Sequence, residues 1–339
     1  MKIGITFDLR AGASIPEGAP DDFYEEFDEP ATVAAIAEVL RGLGHEPIEL
    51  GNGRMMLQKL LADPPDFVFN FAEGQGVGRS REARVPAVLE LLGIPYTGSD
   101  PATLALCLDK DWTRRMVQSI GIHVPEALTI SFGRDVVPDP VLLMEALQQS
   151  GLQPPLIAKP SCEGSSKGLR GKCVIETIDE FAPAVLQLWQ TYHQPVLVEQ
   201  FIVGDELTVG VLGNEPPAVL GVMRVLPKRP SKRFVYSLDV KRDYERLVNY
   251  ECPARIAEAD MTAVQEAALQ AFDILGCRDV ARLDFRLRDG VPYFLEVNPL
   301  PGLNPKSGDL VYIANFMGVT HAQLIERILA SAMERTVGR

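Results

Sequence analysis

Two glycine-rich phosphate signatures are missing from these 339 residues: there is no GxxxxGK[ST] and no GxGxxG. A P-loop nucleotidase and a Rossmann dinucleotide enzyme are therefore both disfavoured. No apolar run approaches the roughly eighteen residues of a membrane span. The opening MKIGITF meets Asp8 and Arg10 too soon for a signal peptide. Cysteine is sparse. The five, at 107, 162, 173, 252 and 277, form no CxxC pair and no zinc spacing, and an odd number suits a reducing compartment, so the cytoplasm is the expected location. Positive charge is also short: a formal charge of −13 argues against a nucleic-acid partner, and any anion bound here must be met by locally concentrated Lys and Arg.

What is present is a soluble globular composition, 46% hydrophobic and 23% charged, in a chain long enough for two or three domains. Lys2 to Phe7 reads as a buried strand, Thr32 to Leu43 as a helix and Glu46 to Leu50 as a second strand, so the chain opens as a βαβ unit. Between strand and helix, residues 10–30 form a long acidic loop with Asp21, Asp22, Glu25, Glu26, Asp28 and Glu29; it reads either as a receiver for a substrate ammonium group or as a solvated surface. Phe67 to Phe71 is another strand, followed by the glycine-rich Ala72 to Gly78 at the end of the strand where α/β proteins bind ligands. Ala83 to Leu92 and the helix opened by Asp109-Lys110 follow, and the first domain closes near residue 103.

The stretch that could carry chemistry is ARLDFRLRDGVPYFLEVNPLPGLNP, residues 281–305. Alternation over Ala281 to Arg288 predicts a strand, and Pro292 to Asn298 a second that puts Glu296 and Asn298 on one face. Register decides whether Asp284 joins them. A two-residue Asp289-Gly290 turn pairs Asp284 with Leu295; a three-residue loop through Val291 pairs it with Glu296. The second is preferred because it gathers two carboxylates and an amide oxygen, the hard-oxygen environment of Mg²⁺ completed by phosphate and water. An ordinary solvated hairpin is the competing reading. Pro299, Pro301 and Gly302 then force an irregular loop able to offer N–H groups to an anion.

Arg282-Leu-Asp284, Glu296-Val-Asn298, Pro301-Gly302 and Ser307 resemble the C-terminal signature of the ATP-grasp superfamily, in its D-alanine–D-alanine ligase branch, and the likeness runs from about Phe67 to the C-terminus. The resemblance implies an α/β chain, α+β in its C-terminal half, in three parts: 1–103, a central 104–195 and a C-terminal 196–339, with ATP between the last two. Lys159 ends an apolar strand, and the small-residue tip Glu163 to Gly168 beyond it, with Ser165 and Ser166, matches the loop that covers phosphates. By the same resemblance Glu199 and the backbone of Gln200, Phe201 and Ile202 meet adenine and Glu206 the ribose, while Lys110, Lys159 and Lys241 meet phosphate. Asp284, Glu296 and Asn298 hold one or two Mg²⁺, with Mn²⁺ an alternative. Arg282 and the Gly302 N–H stabilise an oxyanion, and Ser165 and Ser307 orient substrate.

The basic run Arg224 to Arg242, with one acid at Asp239, is the expected attractor for ATP or acyl phosphate. Two departures bear on the substrate. Where the family has a tyrosine after the phosphate-reaching lysine, this chain has Arg242, with Tyr244 nearby. Where the family has His-Gly-Gly and a Ser/Glu turn, it has Phe7 to Arg10 and the acidic loop, with Glu29 or Asp28 the nearest candidates for the first substrate. The implied activity is an ADP-forming ligase of two amino acids, active as a homodimer, with D-alanine one candidate. A ligase of another amino acid or natural product, a phosphotransferase and a nucleotide binder without turnover are the alternatives.

Overall fold

The computed structural model describes residues 1–10, 12, 15–133, 136–171 and 173–336; of the acidic loop, residues 11, 13 and 14 lie outside that set. Three sheets organise the chain. The first is parallel, β1 (Lys2–Thr6) flanked by β2 (Glu46–Glu49) and β3 (Phe67–Asn70) in the order β2-β1-β3. Parallel strands need a crossover, and the helix Pro30–Gly42 supplies it, burying Val33, Ile36 and Leu40 on the sheet. The same core takes in Leu324, Ile325 and Ile328 of the last helix, His321–Glu334, so the C-terminus seals the N-terminal sheet.

The second sheet is antiparallel, with β4 (Ala127–Ile130), β5 (Leu156–Pro160), β6 (Val174–Ile175) and β7 (Val196–Gln200) in the order β4-β7-β5-β6. Helices Pro140–Ser150 and Phe181–Tyr192 cover it through Leu143, Leu147, Phe181 and Trp189. Because β7 is hydrogen-bonded between β4 and β5, a boundary at 195/196 would cut this sheet. The sheets change after Gln200 instead.

The third sheet runs β10-β9-β8-β11-β12, from β8 (Asp205–Leu212), β9 (Ala218–Pro227), β10 (Val248–Glu251), β11 (Val280–Arg288) and β12 (Val291–Asn298). Its core is closed by helix Glu258–Ile274 and by Val117 and Cys107 from helices Lys110–Gln118 and Pro101–Leu108. The β11–β12 hairpin differs from the expected three-residue loop. Arg288 pairs with Val291, so the turn is the two-residue Asp289-Gly290, with φ of 52° and 79°. Both angles are positive, as a type I′ turn requires. Asp284 nevertheless faces Glu296, because the register shifts between Asp284 and Phe285 and Leu295 is left as an extra residue. A β-bulge restores the pairing that the turn alone would have lost.

Candidate active site

The β11–β12 bulge lets Leu295 and Glu296 both line one cleft between the second and third sheets. Lys159, Glu199, Phe201, Glu206, Lys241 and Asp284 line the same cleft. Lys159, 7% exposed at the end of β5, meets Glu199 across the β5–β7 ladder at 2.7 Å. The partner expected for a buried ammonium is thus a carboxylate in the cleft itself. Gln200 and Phe201 give their backbone N–H groups to the Glu126 and Pro155 carbonyls, so neither N–H is available to a base as expected; the side chains still wall the cleft beside Ile202. Glu206 accepts from Arg286 at 2.7 Å and from the Tyr236 N–H at 3.3 Å, both on Oε2.

At the other end, Arg282 stands among acids. Its Nη2 donates to Asp284 at 2.9 Å and to Glu296 at 3.4 Å, and Nη1 lies 3.5 Å from Asp309. Lys110, placed by an N-terminal helix cap from Asp109, reaches the Glu163 carbonyl and comes within 3.7 Å of Glu296. Burial works against the Glu296 carboxylate, but Lys110, Arg282, Lys159 and Lys241 outweigh it and hold it at about 2. Asp284 goes the other way: burial raises it to about 6 despite Arg282, with Glu296 adding to the rise. Its Oδ1 is buried without a hydrogen-bond partner. A buried orphan oxygen beside an ionised carboxylate is a site short of one cation.

Asn298, opposite Arg282, already accepts from the Leu300 N–H at 2.9 Å through Oδ1. Among the described residues no group of three or more His, Cys, Asp or Glu is arranged to hold a metal. The oxygen set here is two carboxylates and an amide, which fits a hard cation that takes its other ligands from phosphate and water.

The covering loop is held in an unusual conformation. Ser165 and Ser166 have φ of 50° and 58°, and the Ser166 hydroxyl donates to the Tyr236 carbonyl at 3.2 Å. The acidic loop lies directly on it. Glu26 accepts from the Gly164 N–H at 2.5 Å, and a Cβ at position 164 would stand 2.6 Å from Glu26 Oε1, so any larger residue there would displace the Glu26 carboxylate. Asp22 accepts from Gly168 N–H and from the Tyr192 hydroxyl at 2.6 Å, and Asp21 pairs with Arg170. Lys167, whose role the sequence leaves open, is buried between Glu163 and Glu26.

Other expected site residues are distributed unevenly. Ser165, Lys241, Arg242, Gly302, Ser307 and Glu29 line a further cavity beside the cleft. There Arg242 is taken by Glu25 at 2.6 Å and by Asp21 at 3.3 Å, so it fastens the acidic loop. Glu29 is exposed and makes no side-chain cap. Tyr244 is drawn away into an aromatic cluster with Tyr250 and Tyr312, ring centroids 6.3 and 5.9 Å apart. Of the basic run, Arg224 pairs with Asp205 and Arg233 with Glu176, while Lys241 alone lines the cleft. Lys241 sits 5.0 Å from the Tyr236 ring centroid.

Sequence reasoning missed Arg81. It is 1% exposed and donates to the Cys162 carbonyl at 2.9 Å and to both Glu26 oxygens at 2.8 Å, with Glu163 at 3.4 Å. Nothing in Arg79 to Arg84, a charged run, marks one arginine as buried. Glu82 was missed for the same reason, while Glu73 lies in the glycine-rich stretch Ala72 to Gly78 without being singled out there.

Comparison with known proteins bears on the family and the fold. The family described as D-ala D-ala ligase C-terminus matches residues 116–330. The chain is 34% identical over 282 residues to a D-alanine--D-alanine ligase of Aquifex aeolicus, covering 81% of this chain and 86% of that one. It is 32% identical to another of Syntrophotalea carbinolica, covering 90% and 91%. In fold it resembles the D-alanine--D-alanine ligase of Bacillus anthracis, with a TM-score of 0.73, 21% identity and coverage of 99% and 98%. It also resembles the VanG D-Ala:D-Ser ligase of Enterococcus faecalis, with a TM-score of 0.72, 22% identity and coverage of 98% and 99%. By sequence and by its ATP-grasp fold, the chain belongs to the D-alanine–D-alanine ligase family.

Proposed function

We propose that this chain is an ATP-dependent carboxylate–amine ligase that joins two amino acids and releases ADP and phosphate. The observation that carries the reading is the orphaned Asp284 Oδ1 opposite an ionised Glu296, at the end of a cleft lined by Lys110, Lys159 and Lys241. Hydroxide is a poor leaving group, so the carboxylate must be activated first. One carboxylate oxygen attacks the terminal phosphorus of ATP, the bond to the bridging oxygen breaks, and ADP leaves. The amine nitrogen then attacks the acyl carbon. The tetrahedral oxyanion collapses with expulsion of phosphate, and the nitrogen loses its proton.

Each expected residue has a task in this scheme. Lys110, Lys159 and Lys241 neutralise phosphate oxygens, and Ser165 and Ser166 close the covering loop over them. Phe201 and Ile202 wall the base, while Glu206 Oε1 receives a ribose hydroxyl, its Oε2 being held by Arg286. Arg282 and the Gly302 N–H stabilise the oxyanion, and Ser307 orients the amine substrate. Asp284, Glu296 and Asn298 are the residues that would hold Mg²⁺, or Mn²⁺, which neutralises phosphate charge when bound. Glu26, fixed by Arg81, holds the covering loop at Gly164 beside the acyl-donor end.

D-alanine is one candidate substrate. The same reading carries a homodimer and a cytoplasmic location; among the described residues no helix is long and apolar enough to cross a membrane. Incubation with Mg-ATP and a panel of D- and L-amino acids, with nucleotide and product analysis by mass, tests the scheme. ADP with an equal amount of dipeptide is expected. AMP would exclude the acyl-phosphate route, and ADP with a phosphorylated product but no amide would make the chain a phosphotransferase.

A further inference from the structure

Behind the Asp284–Glu296 pair lies a second, smaller cavity. Lys110, Arg282 and Ser165 line its phosphate side, and Glu73, Glu82 and Cys107 also line it. The charges nearby can be paired off. Arg81 and Lys167 neutralise Glu26 and Glu163, and Arg282 and Lys110 face Asp284 and Glu296. Glu73 and Glu82 are left over. Among the described residues neither makes a hydrogen bond or an ion pair, yet Glu82 is only 6% exposed and lines the cavity.

A carboxylate kept from water, as that of Glu82 is, must be met by a cation or by a proton, and the half-buried Glu73 stands on the same cavity wall. Burial pushes Glu82 up to about 8, Glu26 and Glu163 adding to the rise while Arg81 and Lys110 oppose it. Glu73 is raised by burial and by Glu82. The cavity is therefore arranged for positive charge that this chain does not supply.

We propose that Glu73 and Glu82 form a two-carboxylate receptor for ammonium groups, and that the amino acid activated here is a short diamino acid. The inference rests on the ligase reading above. An amino acid with its carboxylate beside Lys110, Arg282 and Ser165 directs its remaining atoms toward the acidic wall. Its α-ammonium balances one leftover carboxylate, and a side-chain amine balances the other. A methyl side chain would leave one of the pair without a counter-charge, and the small volume disfavours long side chains.

The test is ADP release with Mg-ATP from alanine, 2,3-diaminopropionate and 2,4-diaminobutyrate, as both enantiomers, each alone and with D-alanine as amine partner. In the wild type, kcat/KM for a diamino acid is expected to exceed that for alanine by about ten- to a hundredfold, the worth of one hydrogen-bonded charge pair. Glu82→Gln and Glu73→Gln are expected to bring that ratio toward one, whatever they do to absolute rates. Equal use of alanine and the diamino acids, or a ratio unchanged in both variants, would overturn the proposal while leaving the ligase reading intact. ADP release from no amino acid would remove both. Should the variants not fold, thermal unfolding of the wild type without ATP decides: 2,4-diaminobutyrate is expected to raise the midpoint and 2-aminobutyrate to leave it in place, and equal shifts contradict the assignment.

Discussion

The two ends of the site are built by different means. The end proposed to bind phosphate stands on a hairpin, where Asp284, Glu296, Asn298 and Arg282 are brought together by strand register over a short stretch of chain. The end proposed for the acyl donor is assembled by contacts between distant loops: ion pairs of Glu26 with Arg81 and Lys167 and of Asp21 with Arg170 and Arg242, and a hydrogen bond from Tyr192 to Asp22. Register is a local property with a period of two and tolerates only discrete changes. Loop-to-loop pairing has no period and can be rewired one residue at a time. A chain with a shared phosphate chemistry and its own substrate chemistry is what such a division permits.

The largest effect should come from the hairpin. On the proposed function, Asp284→Asn or Glu296→Gln removes a charge needed to hold metal and phosphate, and ADP release should fall by about a thousandfold or more, the equivalent of several kcal/mol. Circular dichroism should remain that of the wild type. Next is Arg282→Lys, which keeps the charge but loses the planar fork; a fall of roughly a hundredfold in kcat is expected from steady-state rates. If either change were tolerated, the contrast between the two ends would fail at its stronger end.

At the loop end the first readout is stability. Glu26→Gln leaves Arg81, 1% exposed, with a weaker set of partners, and urea unfolding should show a loss of about 3 kcal/mol. The pair Arg242–Glu25 is different, because Arg242 is 37% exposed and water screens it. Arg242→Ala should cost under about 1 kcal/mol and act chiefly on the KM for an amino acid.

The smallest effect concerns pH. The Glu82 carboxyl, lifted to about 8 by burial, keeps in the folded state a proton that the unfolded chain releases near 4.5. The folded state therefore binds more protons between those values, and this group's contribution to stability falls as pH rises through the window and is constant above it. The melting temperature of the chain without ligands should decline from pH 6 to pH 8, and less steeply in Glu82→Gln.

How far the sequence discloses each region follows from the same contrast. Alternation over Ala281 to Arg288 is enough to predict β11, and a lysine ending an apolar strand is enough to demand a buried partner for Lys159. The pairing of Asp284 with Glu296 was legible; its cause was not. The expected three-residue loop is a type I′ turn plus a bulge at Leu295, and a bulge leaves no mark in alternation two strands apart. The break after Gln200 was displaced because β7 looks like any apolar strand, and its partners are far away in sequence.

The acidic loop was legible only as charge. Glu26, Asp22 and Glu29 are equivalent in a string of acids, and depth separates them once Arg81 and Tyr192 are in place. Arg81 and Glu82 are likewise indistinguishable within a charged run, whereas Glu73 stands in the glycine-rich stretch that the sequence already places at a ligand-binding strand end. Arg242 and Tyr244 were read as substrate-facing from their position after Lys241, whereas the fold gives one to Glu25 and the other to a tyrosine cluster.

The central claim is that Asp284 and Glu296 face each other in order to hold a divalent cation under the terminal phosphates of ATP. Calorimetric titration of ATP into the wild type and into Asp284→Asn, each with magnesium and with magnesium removed by chelation, measures it without turnover. The account predicts that magnesium tightens ATP binding to the wild type by at least about tenfold and has little effect on the variant. Equal tightening in both proteins, or none in the wild type, would contradict it.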